Sequence, residues 1–179
     1  MPGKPLAVAV LLAAGCAAAP PPSFAAVLTS PTDVVLSWPD DGAGHRLEYA
    51  NDPAEPWTTL RFLPAHTTTY RHPDLIPETP FHYREQPFTG PVSADPPAVT
   101  SGDTVTVTWT DRTPDEAGFL LEVRRPGAPD FDPVEVTDPD VTTCALSLLP
   151  GEERSAFRIR TLYYGPLSPV VHRTTGKER

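Results

Sequence analysis

Proline sets the first limit on what this chain can fold into. The sequence contains 25 prolines in 179 residues, and they recur from Pro20 to Pro169. Proline breaks the interior of a helix and cannot donate a hydrogen bond within a sheet, so the elements between these prolines must be short. Hydrophobic residues make up 39% of the chain, and together with 11 glycines they reach the range typical of globular proteins. The sequence therefore predicts a folded, all-β protein of short strands joined by proline turns.

The charge balance argues against one broad class of partner. The chain has 23 acidic and 14 basic residues, for a formal net charge of -9. Proteins that bind nucleic acids concentrate positive charge on a surface that attracts phosphates. We therefore expect no nucleic-acid partner.

The first residues have the pattern of a secretory signal peptide. Lys4 supplies a positive charge, and residues 6–14 form an apolar run of alanine, valine and leucine. This run is too short to span a bilayer as a helix, which takes about 20 residues. The pattern predicts export to an extracytoplasmic compartment.

A cysteine follows this apolar run. The segment Leu12-Ala13-Ala14-Gly15-Cys16 resembles the lipobox of bacterial lipoproteins. The resemblance implies cleavage of a leader at 1–15, lipidation of Cys16 and a lipidated tether over 16–23. The protein is then anchored in the cell membrane and faces the extracytoplasmic space. The alternative is an ordinary secretory peptide cut near residues 17–19.

The chain carries an internal repeat. Two segments alternate apolar with polar residues and end in tryptophan: Val34, Leu36 and Trp38 in the first, and Val105, Val107 and Trp109 in the second. Alternation of period two is typical of a half-buried strand. Three later landmarks recur in the same order, about 74 residues apart: Leu75-Ile76-Pro77 as Leu148-Leu149-Pro150, Tyr83-Arg84 as Phe157-Arg158, and Gly90-Pro91-Val92-Ser93 as Gly165-Pro166-Leu167-Ser168. The common order predicts a duplicated domain.

The second repeat resembles fibronectin type III domains. The resembling segments are Trp109, Gly118-Phe119-Leu120-Leu121-Glu122-Val123, Leu148-Leu149-Pro150-Gly151, Phe157-Arg158-Ile159 and the closing turn at 165–169. The resemblance implies an all-β fold of two tandem fibronectin type III-like, or immunoglobulin-like, β-sandwiches. We expect the first domain over 24–93, the second over 94–173, and a disordered tail over 174–179.

The first repeat departs from this pattern. Glu85 stands where the family usually buries a valine, and Glu78 replaces the glycine of the corner. The first domain is therefore expected to be divergent, and the sequence leaves open whether it has a complete set of strands.

Motifs for catalysis, cofactors or metals are not found in the sequence. It has no nucleophile elbow and no glycine-rich phosphate loop, so we expect a non-catalytic protein without a cofactor. Four histidines of the first repeat lack the spacing of metal ligands, and we expect no metal site there: His45, His66, His72 and His82. The acidic stretch at 130–140 lacks the frame of a calcium loop and is expected to be solvated. Two pairs of adjacent acids, Asp40 with Asp41 and Asp115 with Glu116, are expected to serve turn geometry and solubility.

Cys144 is the only cysteine besides Cys16. It occupies the position that Tyr70 has in the first repeat, on a strand that faces the core. We therefore expect a buried and unreactive thiol.

Two aromatic residues remain as candidates for ligand binding. Trp57 has no tryptophan counterpart in the second repeat, and either caps the edge of the sandwich or forms a stacking platform together with the nearby Tyr70. The sequence favours a protein-interaction or spacer module whose partner is a cell-envelope protein. A carbohydrate or cell-wall binding module and an accessory subunit of an extracytoplasmic enzyme are the alternatives.

Overall fold

The computed structural model describes residues 23–100 and 104–177. The regular structure in these two ranges consists of thirteen β-strands, which are β1 (Ala25–Ser30), β2 (Asp33–Ser37), β3 (Gly44–Ala50), β4 (Thr58–Leu63), β5 (Thr69–His72), β6 (Pro80–Thr89), β7 (Ala98–Thr100), β8 (Val105–Thr108), β9 (Gly118–Arg124), β10 (Asp132–Thr137), β11 (Thr143–Leu146), β12 (Ala156–Tyr164) and β13 (Val171–Thr174). Within them no helix is long and apolar enough to cross a membrane. The predicted leader, Cys16 and residues 178–179 lie outside the described residues.

The first repeat forms a β-sandwich. One sheet has the order β1-β2-β5, and strands β6, β3 and β4 form the sheet that faces it. The alternation of β2 places Val34 and Leu36 fully inside, where Trp38 joins them. The same core contains residues from both sheets: Phe24, Ala26, Leu47, Leu75, Phe81 and Tyr83. The predicted inward face of the first repeat is confirmed.

The second repeat has the same arrangement. One sheet has the order β11-β8-β7, and β10, β9 and β12 form the other. Val105 and Val107 of β8 pack on residues of the facing sheet: Phe119, Leu121 and Ile159. Two antiparallel sheets packed over a shared core in each repeat establish the all-β, immunoglobulin-like sandwich fold.

The two sandwiches share one sheet. Its strands follow the order β10-β9-β12-β6-β3-β4, so β12 and β6 join the repeats at the centre. Tyr163 lies opposite Thr89 in this central pair, and Tyr164 lies opposite Phe88. The outer strands β4 and β10 approach each other, which means that the shared sheet is strongly curled.

Each sandwich is completed by a segment from the other repeat. After β12, the chain turns and β13 pairs with β6 of the first repeat, with Val171 opposite Tyr83. In return, residues 91–93 run beside β12 of the second repeat, where Ser93 donates its amide to the carbonyl of Ile159 at 2.8 Å. The two repeats therefore exchange the segments that follow their last long strands, and β13 supplies an edge strand to the first sandwich.

A glycine permits the close approach of the exchanged segments. Gly90 has a φ of +139°, and a Cβ atom at this position would lie 1.9 Å from the carbonyl oxygen of Thr161. No side chain fits at that distance, so the crossing of the two segments requires glycine at position 90.

A third hydrophobic core fills the inside of the curled sheet. It consists of Phe88, Leu120 and Leu162, with partly buried residues packed against it: Phe62, Val136 and Tyr164. Side chains alternate along a strand, so these residues lie on the face opposite to the two sandwich cores. The repeats are therefore joined by side-chain packing as well as by backbone pairing.

The expectation of a disordered tail is wrong for residues 174–177. Thr175 is buried, accepts a hydrogen bond from the amide of Thr79 at 2.9 Å, and donates its hydroxyl to the carbonyl of Ile76 at 2.6 Å. This segment is ordered because β13 carries it into the first sandwich. The domain boundaries at 24–93 and 94–173 stay a prediction, and strand pairing crosses them in both directions.

Candidate functional site

A buried acid and an arginine are paired on the inner face of the curled sheet in the second repeat. Glu122 on β9 is only 2% exposed. It accepts hydrogen bonds from Nε and Nη2 of Arg158, on the neighbouring strand β12, at 2.7 and 3.2 Å. The guanidinium of Arg158 also lies 4.2 Å from the centroid of the Phe131 ring. These three side chains form one stack of acid, cation and aromatic ring.

The first repeat contains the same stack. Nε of Arg84 donates to Glu48 at 2.7 Å, and the guanidinium lies 4.2 Å from the centroid of the Trp57 ring. Trp57 therefore has a counterpart in Phe131, which the sequence comparison missed because the aromatic residue differs. Because the stack is present in both repeats, we assign it a structural role, which is to hold the side chains on the inner face of the sheet in each repeat.

A cavity of about 770 Å³ opens beside the stack of the second repeat. Its wall combines loops of the first repeat at 42–44 and 64–67 with strands and the 129–131 loop of the second. Three arginines line it: Arg124, Arg158 and Arg160. The cavity thus lies between the two repeats, near the pairing of β12 with β6.

The arginines of the cavity differ in how they are held. Arg158 is paired with Glu122, and Arg160 donates to the carbonyl of Gly90 at 2.8 Å. Arg124 is exposed, lies 4.9 Å from the centroid of the Phe131 ring, and has no acidic partner in the described part of the chain. It is the guanidinium available to an incoming anion.

The first repeat lacks this free cation. The pairs of Glu48 with Arg84 and of Glu122 with Arg158 align the strands of the two repeats. In this alignment Ala50 is equivalent to Arg124, and Gln86 is equivalent to Arg160. Gln86 makes the hydrogen bond equivalent to that of Arg160, because its side-chain amide donates to the carbonyl of Gly165 at 2.8 Å. The exposed positive charge over an aromatic ring is therefore an addition specific to the second repeat.

The predicted ligand-binding pair is not brought together. Trp57 is half-buried beneath Arg84 on the inner face of the sheet, whereas Tyr70 on β5 packs against the first sandwich core. Their role in ligand binding stays a prediction. Arg124 has no signal in the sequence. Glu48 and Glu122, like Arg84 and Arg158, recur at the spacing of the repeat, and this recurrence was the signal that could have indicated the paired stacks.

The departure at Glu85 has a structural explanation. Glu85 accepts a hydrogen bond from Nδ1 of buried His45 at 2.9 Å, and Asp41 lies 3.1 Å from Nε2 of the same ring. Burial lowers the pKa of His45, but the hydrogen bond and charge of Glu85, supported by Asp41, outweigh it and leave this pKa above its ordinary value. The hydrogen bond between Glu85 and buried His45 thus takes the place of the apolar contact that a valine at position 85 would make.

The remaining titratable groups have ordinary structural surroundings. His66 is exposed beside Asp40, His72 packs against Tyr83, and the ring of His82 stacks on that of His172. Burial lowers the pKa of His72. Burial and the charge of Glu135 raise the pKa of Cys144. The thiol is half-buried against the second core, less buried than expected, and its lack of reactivity stays a prediction.

The turn acids divide into two kinds. Asp40 and Asp41 accept hydrogen bonds from the amides of Gly42 and Ala43 at 3.0 and 2.9 Å, as predicted for acids that fix turns. For Glu116 the expectation is wrong, because this residue is buried and only 7% exposed.

Comparisons with known proteins find no family model and no curated protein that matches this chain, and they find solved structures that are similar to it. A segment of chicken CNTN1 spanning domains FN1 to FN3 is similar at 14% identity with a TM-score of 0.35, over 83% of this chain and 61% of that one. A two-domain fibronectin type III segment of chicken tenascin is similar at 17% identity with a TM-score of 0.33, over 89% of this chain and 100% of that one. The chain thus spans less than two thirds of the CNTN1 segment.

Proposed function

We propose that this protein is a non-catalytic binding module, held at a membrane by a lipid on Cys16, that recognises an acidic segment of another cell-envelope protein. Sandwiches of this kind are commonly interaction modules, but a fold by itself does not choose a ligand. The observation that carries the proposal is the unpaired guanidinium of Arg124 at the edge of a large cavity.

The chemistry of the cavity favours a carboxylate ligand. An arginine without an acidic partner forms strong, charge-assisted hydrogen bonds with a carboxylate, and the Phe131 ring beneath it limits the freedom of the guanidinium. The molecule as a whole is acidic, with a net charge of -9, so it repels an anionic ligand at long range. The three arginines of the cavity wall outnumber its two acids, Glu122 and Asp130, and favour an acidic ligand at this site.

The aromatic rings on this face favour a peptide over a sugar. Trp57 and Phe131 each have a guanidinium 4.2 Å from the ring centroid. A sugar that stacks on an aromatic ring needs an open ring face. Here the guanidinium of Arg84 covers a face of Trp57, and that of Arg158 covers a face of Phe131. The glycan-binding alternative at Trp57 and Tyr70 therefore ranks second.

Binding of a labelled hexaglutamate peptide tests the proposal. We expect Arg124→Gln to weaken binding by about tenfold without changing the thermal midpoint, because a charge-assisted hydrogen bond contributes about 1.5–3 kcal/mol. Arg61→Gln is the matched control, since it removes the same charge from an exposed strand position outside the cavity. Equal weakening by both substitutions contradicts a specific site, as does equal binding of hexaglutamine.

Membrane attachment is tested separately. Several acyl chains anchor a protein almost permanently, so Cys16→Ser should move it from the membrane fraction to the soluble fraction. A tether over 16–23 spans at most about 30 Å, which keeps the first sandwich near the bilayer. If Cys16→Ser remains in the membrane fraction, the anchor is elsewhere, and binding at Arg124 is unaffected by that result.

A further inference from the structure

Three carboxylates converge at one end of the second sandwich. Asp111 and Glu116 come from the loop between β8 and β9, and Asp140 comes from the loop between β10 and β11. One oxygen atom from each lies within 4.8 Å of those from the other two. Grouping three negative charges at this distance is unfavourable unless a cation compensates them.

Glu116 has no internal partner for its charge. The residue is 93% buried, its Oε2 atom is inaccessible to solvent, and no hydrogen-bond partner for that atom is found in the described ranges. No lysine, arginine or histidine forms a salt bridge with any of the three acids in the same ranges. Burying a carboxylate without a partner costs free energy of folding, and a bound cation would offset that cost.

The first repeat shows what occupies the equivalent place. The amide of Trp38 donates to the carbonyl of Thr68, as that of Trp109 donates to Thr142, both at 3.0 Å. These matching bonds make His66 the counterpart of Asp140, since each lies two residues before the threonine. Both also have a positive φ, 66° for His66 and 63° for Asp140.

The exchange of histidine for aspartate changes the side chain that faces the turn aspartate. In the first repeat, Nδ1 of His66 lies 3.1 Å from Asp40, the residue equivalent to Asp111. In the second repeat, a third acid takes the position of that ring. The first repeat therefore supplies a side-chain partner for its aspartate at this end of the sandwich, whereas the second repeat places only further carboxylates beside Asp111.

We infer that Asp111, Glu116 and Asp140 bind one calcium ion. Calcium prefers carboxylate oxygens at about 2.3–2.6 Å, so two ligands on opposite sides of the ion are nearly 5 Å apart, in agreement with the spacing of the cluster. One oxygen of Asp111 already accepts the amide of Thr113 at 2.9 Å, which fixes its carboxylate. Three acids and remaining water ligands fit calcium better than magnesium, which requires a tighter octahedron.

The experiment is a calcium titration of the full chain after treatment with EDTA. We expect one ion per chain with a dissociation constant of about 0.1–1 mM, as in extracellular modules, and a higher thermal midpoint in calcium than in EDTA. Terbium provides a second readout, because Trp109 lies close in sequence to Asp111 and should sensitise its luminescence. Calcium should then displace terbium.

Two substitutions at one position distinguish a metal site from a cluster that only affects folding. Asp140→Asn should weaken calcium binding at least about tenfold, whereas Asp138→Asn, in the same loop, should leave it unchanged. Asp140→His should reproduce the pair of the first repeat, abolishing both calcium binding and the difference in thermal midpoint between calcium and EDTA. Absence of binding at about 10 mM calcium, or equal losses in Asp138→Asn and Asp140→Asn, overturns the inference. Equal affinity for magnesium overturns the assignment to calcium.

Discussion

Val171 lies directly opposite Tyr83 in an antiparallel ladder, although the two residues belong to different repeats. The side chain of Val171 packs against the first sandwich core, and that of Tyr83 is fully buried within it. The last strand of the chain is thus part of the first sandwich. This exchange joins the repeats and makes the stability of the first repeat depend on the end of the chain.

Thr175→Val tests the contribution of the end of the chain. The substitution keeps the shape of the side chain but removes the bonds to the amide of Thr79 and the carbonyl of Ile76. We expect the free energy of unfolding to fall by about 1–3 kcal/mol, measured by urea denaturation. Thr174→Val, at an exposed position, should change it by less than about 0.5 kcal/mol. Equal effects of the two substitutions contradict a structural role for Thr175.

Gly90→Ala tests the crossing of the exchanged segments. The new methyl group collides with the carbonyl oxygen of Thr161, so we expect a loss of more than about 4 kcal/mol or failure to fold. Gly127→Ala is the control, because Gly127 also has a positive φ, +81°, but has no atom within 4 Å of the added Cβ. That control should cost only about 1–2 kcal/mol. Similar midpoints of thermal unfolding for both variants would show that the segments do not approach so closely.

Arg158→Met tests the buried stack. It leaves the carboxylate of Glu122 buried without its main partner, and we expect a loss of about 3–5 kcal/mol in equilibrium unfolding. Arg71→Met breaks a pair between Arg71 and Asp33 in which the arginine is well exposed, and should cost about 1 kcal/mol or less. A small effect of Arg158→Met would mean that water or Arg160, whose Nε lies 3.4 Å from Glu122, compensates the carboxylate.

His45 predicts a dependence of stability on pH. Its pKa is raised in the folded protein, so the protonated ring stabilises the fold fully below the unfolded pKa of about 6.5, and this contribution is lost as the pH rises through the folded pKa. Glu85→Gln should lower the pKa of His45 and reduce that dependence. Titration of the imidazole by NMR measures both, with His72, whose pKa is lowered by burial, as the internal reference. An unchanged titration of His45 in Glu85→Gln contradicts the assigned cause.

The sequence predicted the sandwiches but not how they are joined. Alternation at Val34 and Leu36, repeated at Val105 and Val107, identified the inward faces because burial on one face of a strand imposes a period of two. The short strand at 171–174 has three polar residues and no such period, so nothing in its pattern selects the sheet edge it joins. The partner of this strand is determined by tertiary packing and not by its own sequence pattern. The expectation of a disordered tail was wrong for this reason.

The candidate sites were predictable only in part. Glu122 and Arg158 recur as Glu48 and Arg84, and repeated charges of opposite sign on strands at one spacing indicate a paired motif. Arg124 gave no such indication, because an exposed arginine at the end of a strand is ordinary in sequence. Its importance depends on the cavity, whose walls come from residues far apart in the chain.

The pairing of β13 with β6 joins the end of the chain to the first sandwich, and the nuclear Overhauser effect between backbone protons of the facing residues measures it directly. We expect cross-strand contacts between Val171 and Tyr83 and between His172 and His82 in the monomeric protein. Contacts of Val171 with strands of the second repeat instead, or no contacts with β6 in a folded monomer, would contradict it.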